Sequence, residues 1–113
     1  MARYEELGFE SEEEMEEYEA EQEEHADEIR NAVLDYVEEN DVPESTAVFT
    51  LLQLAVSMHM SGYLGATEKP SAQGLKMELD RFAGDFADMV REAKKGAAEF
   101  IEDFKAASEA EQE

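Results

Sequence analysis

"LKMELDRFAGDFADMVREAKKGAAEFIEDFKAA", Leu75 to Ala107, places Leu75, Leu79, Phe82, Phe86, Met89, Ala93, Gly96, Phe100, Phe104 and Ala107 at intervals of four and three in near-strict alternation. That spacing is the repeat of a helix with one apolar seam. The stretch therefore predicts a long helix over residues 71–108, with Ser71 as its cap. At 1.5 Å of rise per residue it is on the order of 50 Å long. Phe82, Phe86, Met89, Phe100 and Phe104 are the residues expected to form an oligomer seam, since Phe at such positions packs as core more often than it lines a ligand pocket. Arg81, Arg91, Lys94, Lys95 and Lys105 interleave with acids on the same helix, as a solvated face does, or one that complements carboxylates elsewhere.

Working back toward the N-terminus, "SGYLGATEKPSAQG" holds Gly62, Gly65, Pro70 and Gly74 and reads as a loop. The preceding helix is predicted over 43–61, with Pro43 in its first turn. Val48, Phe49, Leu51, Leu52, Leu54, Ala55, Val56 and Met58 surround most of its circumference, which predicts burial on several sides and assigns this helix to the core. Residues 45–67 carry no formal charge and nearly match a bilayer in length. Thr50, Gln53, Ser57, His59 and Ser61 in the middle, and the lack of a Lys/Arg-rich flank, favour a buried helix over a membrane span.

The first helix is predicted over 11–40. Ser11 and Glu14 have the spacing of a capping box, and the acids that follow suit the positive end of the helix dipole. Met15, Tyr18, Gln22, His25, Ile29, Ala32, Tyr36 and Val37 recur at threes and fours, sparsely apolar before Ile29 and densely after it. The half after Ile29 is expected to pack. The half from Ser11 to Glu28 is expected to project or fray, because like charges one turn apart oppose the helix. Asn40 and Asp41 suit its end. Together these elements predict an all-α fold, a three-helix bundle or helical hairpin with long first and third helices, completed by dimerisation. Residues 1–10 form an N-terminal arm, 11–110 a single helical domain, and 109–113 a frayed tail.

The chain has 113 residues, no cysteine and a formal charge of −22. One small domain fits that length, and a second copy would enlarge its modest core. Thiolate chemistry and disulfides are excluded. No signal peptide is evident, so a cytoplasmic protein is expected. Residues 1–41 hold 18 acids against Arg3 and Arg30. That density excludes free nucleic acid and anionic lipid as partners and points to a basic protein surface.

Chemistry-bearing constellations are weak. His25 lies among Glu21, Glu24 and Glu28, with Glu21 and Glu28 one turn to either side, yet the position three before it is Gln22 rather than the Glu of a bundle metal motif. Met58, His59 and Met60 are soft ligands, but consecutive helical residues point apart. There is no nucleophile turn and no phosphate-cradling glycine loop. No catalytic residue, metal site or cofactor is expected, and the protein is read as non-enzymatic.

Glu12, Glu13, Glu16, Glu17, Glu21, Glu24 and Glu28 are the expected partner contacts. A helix spaces such carboxylates about 5–6 Å apart, near the phosphate repeat of a nucleic-acid strand, so the chain is expected to act as a nucleic-acid mimic toward a basic nucleic-acid-binding protein. The alternative is a halophile-adapted structural or adaptor protein, in which the seam mediates oligomerisation and the acids serve solubility. Glu outnumbers Asp 24 to 7 and the excess is concentrated in one third of the chain, which favours the first reading.

Overall fold

A computed structural model describes residues 2–112. They form α1 (Arg3–Glu6), α2 (Glu12–Glu39), α3 (Glu44–Ala66), α4 (Ala72–Lys95) and α5 (Ala97–Gln112), with no strand among the described residues. The fold is all-α. The chain divides into two units, residues 1–51 and 52–113, and the division falls inside α3.

The first unit begins with an element not anticipated in the arm. α1 ends in a Schellman motif: Phe9 N–H donates to the Tyr4 carbonyl at 2.8 Å, and Gly8 N–H donates to that of Glu5 at 3.1 Å. Gly8 takes the left-handed conformation the motif needs, with φ of 86°. The turn brings α1 back onto the start of α2. Arg3 Nη2 reaches Glu19 Oε1 at 2.9 Å, and the rings of Phe9 and Tyr18 stand 5.3 Å apart. Met15, at 5 % exposure, is the one buried apolar residue among those described.

Ser11 caps α2 as its spacing predicts, its Oγ accepting from Glu14 N–H at 3.1 Å. The returning arm of the capping box is shifted by one residue, because Glu14 Oε2 accepts from Glu10 N–H rather than from Ser11. The acidic half does not fray, its glutamates standing exposed on a formed helix, and the later half packs only in part, with Val33 and Val37 half-buried. α2 is helical from Glu12, and its best-covered residue is Met15, whereas Ile29, Leu34 and Tyr36 stand exposed. The cap, the dipole and the α1 contacts offset the like-charge repulsion at one end. The other end finds no comparable cover.

α2 closes with a second Schellman motif. Val42 N–H donates to the Val37 carbonyl at 3.0 Å and Asp41 N–H to that of Glu38 at 3.4 Å. Val37 and Val42, the apolar pair that accompanies this motif, are both half-buried. Asp41 occupies the left-handed position with φ of 49°, where glycine is usual. Pro43 then lies just ahead of α3, its carbonyl accepting from Ala47 N–H at 3.1 Å, so it serves as the cap rather than as a residue of the first turn.

Two boundaries in the second unit differ from those read in the sequence. α3 continues past Ser61 through Gly62 and Gly65 to Ala66, so the loop shrinks to the residues between Ala66 and Ala72. Tyr63 explains the extension. Its Oη accepts from Ser71 N–H at 3.2 Å, tying the end of α3 to the cap of α4, where Ser71 Oγ accepts from Gly74 N–H at 3.0 Å. The long third helix is divided at Gly96, whose φ of −94° and ψ of 9° leave helical geometry for one residue. Hydrogen bonding resumes at once, with Phe100 N–H donating to the Gly96 carbonyl at 2.9 Å. Residues 109–112, read as a tail, lie in α5, and Glu113 lies outside the described residues.

The turn at Asp41 is a point of adjustable stability. Asp41→Gly removes a side chain from a left-handed site and a negative charge from a helix end whose last turn has no basic residue. It is expected to stabilise the fold by about 0.5–1 kcal/mol. Asp41→Asn, which removes only the charge, should give a smaller gain in the same urea titration.

Candidate functional site

α2 has two faces. At about 100° per residue, Glu12, Glu13, Glu16, Glu17, Glu21, Glu24 and Glu28 fall on one half of the circumference, and Met15, Tyr18, Ile29, Val33 and Tyr36 on the other. All of those glutamates are exposed. Among the described residues, none of these glutamates has a Lys or Arg neighbour, and only Glu21 has a basic side chain nearby, His25, whose Nε2 is 3.7 Å from Glu21 Oε1. Arg3 is taken by Glu19 and Arg30 by Asp27, so neither neutralises this arc. From Glu12 to Glu28 the arc runs over roughly 24 Å of the helix.

The paired cations of α4 are engaged within their own helix, as on a solvated face. Arg81 pairs with Glu78, Arg91 with Asp88 and Lys95 with Glu92, each within α4 at a spacing of three. Such exposed pairs are worth little.

The apolar side of the first unit opens into a groove of about 490 Å³, walled by Val33, Tyr36 and Val37 of α2 and by Ala47, Thr50 and Leu51 of α3. No charged side chain lines it. In the second unit the seam residues Leu75, Leu79 and Phe82 are half-buried, but cover ends there: Phe86 is 44 %, Met89 67 % and Phe100 72 % exposed, and Phe104 is likewise open.

The assignment of the second sequence-predicted helix to the core is corrected in the same way. Val48, Phe49, Leu51, Leu52, Leu54, Val56 and Met58 of α3 are all exposed, and of those expected in the core only Ala55 is half-buried. The physical reason is supply: each helix has more apolar surface than its neighbours in one chain cover. By length and composition α3 could also cross a membrane, with a mean hydropathy of 1.3 over its most apolar window.

Where α3 meets α4, a polar corner is set into the apolar surface. The His59 ring lies against Phe82, with centroids 4.7 Å apart, and its Nε2 is 3.7 Å from Glu78 Oε2. That separation is too long for a hydrogen bond, and Nε2 is sealed from solvent without a partner. Glu78 is itself held by Arg81 at 2.9 Å. His59 has no acid near it in sequence, so Glu78, brought by the fold from the next helix, was invisible to spacing. Among the described residues no three His, Asp or Glu side chains converge to hold a metal, at His25 or at His59.

The chain matches no known protein family, and comparison with curated proteins and with solved structures finds no match.

The corner depends on a close approach at Gly74. A Cβ there would lie 2.2 Å from Tyr63 Oη, whereas one at Gly84, in the same helix, meets nothing within 4 Å. Gly84→Ala is therefore expected to stabilise α4 by about 0.5–1 kcal/mol. Gly74→Ala should forfeit that gain, because the ring must leave Ser71 N–H. Paired urea melts of the two variants provide the check.

Proposed function

We propose that the protein is a non-enzymatic, self-associating binding protein of the cytoplasm, whose acidic helix engages a basic protein surface such as that of a nucleic-acid-binding protein. The observation that carries the reading is the arc of α2: exposed glutamates along a helix of 28 residues, nearly all without a cationic neighbour among the described residues. Unneutralised carboxylates repel one another, and a cationic surface relieves that repulsion while gaining electrostatic steering. Direct binding of nucleic acid is disfavoured by the same charge.

A homodimer is the second half of the proposal. It is supported by the exposed seam at Phe86, Met89, Phe100 and Phe104 and by the open apolar surface of α3. Residues 72–113, which hold the seam, net −5 against −16 for residues 1–41, so copies meeting there repel less than copies meeting along α2. This association gives α3 cover that a bilayer would otherwise provide. Thr50, Gln53, Ser57, His59 and Ser61 along α3, and the carboxylate of Glu78 standing beside His59, favour a protein neighbour over lipid.

The adaptor reading, in which the seam is functional and the acids only keep the chain soluble, draws support from the same exposed seam. A displacement experiment separates the two. The wild type is expected to release fluorescent duplex DNA from a basic DNA-binding protein. Exchanging Glu12, Glu13, Glu16, Glu17, Glu21 and Glu24 for glutamine should weaken that release about a hundredfold. Equal displacement by both proteins, or none by the wild type, leaves the adaptor reading in its place.

A further inference from the structure

We infer that the groove between α2 and α3 in the first unit is a docking site for a basic amphipathic helix of the partner protein. The inference rests on the proposed acidic-binding role and specifies what the partner inserts.

The groove has the dimensions and chemistry of a helix-binding cleft. Its volume of about 490 Å³ accommodates several apolar side chains, and its walls offer little beyond the hydroxyls of Tyr36, Thr46 and Thr50 as polar side-chain groups. A nucleotide, a metal or a small charged ligand finds no counter-charge and little to orient it there. An occupant must therefore present apolar groups. Tyr36 and Leu51 stand exposed at the walls, and Ile29 lies one helical turn or two along α2 at 65 % exposure, so the apolar strip continues beyond the groove.

The border of the groove specifies the rest of the occupant. Helical periodicity places Glu28, Asp35 and Glu39 along the edge of the α2 face that lines it. Asp41 and Glu44 flank its closed end at the turn. None of these carboxylates has an ion pair among the described residues. Residues 1–51 carry 19 acids and two arginines, a net charge of −17. An apolar trough with carboxylates along its α2 edge and at its turn, and an uncharged α3 edge, fits a helix with apolar anchors on one face and lysine or arginine along one side of them. A second copy fits less well, because none of the chain's own helices carries a net positive charge.

The test uses the full chain and a synthetic helix of about 18 residues, a length that remains helical when bound, built from leucine and lysine in amphipathic register. Two controls accompany it: the same composition scrambled, and an oligolysine of equal charge. At about 0.1 M KCl the amphipathic probe should bind at least about tenfold more tightly than either control. Ala47→Leu and Thr50→Leu, which fill the groove from α3 with helix-compatible residues, should each cost about tenfold for that probe and leave oligolysine unchanged. If the scrambled peptide binds as well, or the filled variants bind as the wild type does, the groove proposal is overturned while the acidic-surface reading stands. If no basic probe binds, both fall. If Ala47→Leu or Thr50→Leu changes the mass of the free protein by light scattering, the groove is a contact between copies and the proposal is overturned.

Discussion

Apolar surface that one chain leaves uncovered is the condition from which the other features follow. α3 is apolar around its circumference, and such a helix is stable in water only when neighbours surround it. Within the chain those neighbours act only near the two turns. Val37, Val42 and Ala47 are half-buried beside the α2–α3 turn, and Tyr63, Leu75, Leu79 and Phe82 are half-buried beside the α3–α4 corner. Away from these points Phe49, Leu54, Met58, Phe86 and Met89 meet solvent. On our reading a second copy supplies what is missing.

Charge acts against that association and thereby restricts where it occurs. A protein of −22 repels its own copies, and the repulsion is strongest along α2. The end of α2 shows the cost locally: Glu38, Glu39 and Asp41 crowd the negative pole of the helix dipole, with no basic residue in the last turn. At the other end the same charge is favourable, since Glu12, Glu13 and Glu14 occupy the positive pole and Ser11 caps it. With the arc from Glu12 to Glu28 on one half of α2, the opposite half, where Glu14 caps the helix start and Glu19 pairs with Arg3, holds Met15, Tyr18 and the groove. The same helix thus presents both kinds of contact that the proposed partner requires.

Periodicity made the helical class legible, along with the caps at Ser11 and Ser71 and the turn near Asp41. Three other features depended on atoms distant in sequence. α1 exists through a glycine turn and an ion pair from Arg3 to Glu19, neither of which has an apolar repeat. The persistence of α3 through Gly62 and Gly65 depends on Tyr63 meeting Ser71, and the carboxylate nearest His59, that of Glu78, comes from α4. Gly96 interrupts a seam whose spacing runs straight through it, because the heptad count registers side-chain positions and not backbone geometry. The glutamate arc was legible as composition. Its separation from the apolar half became evident only with the helix in place, and the groove required the α2–α3 turn. Burial was the poorest inference: an apolar helix was equated with a core, when apolarity specifies only that cover is needed.

Sedimentation equilibrium of the wild-type chain at about 0.1 M and 1 M KCl, with helicity followed in parallel, tests the central claim most directly. The account predicts a mass of at least two 12.8 kDa chains at micromolar concentration, with tighter association at the higher salt as self-repulsion is screened. A helical protein that remains at 12.8 kDa in both conditions would contradict it.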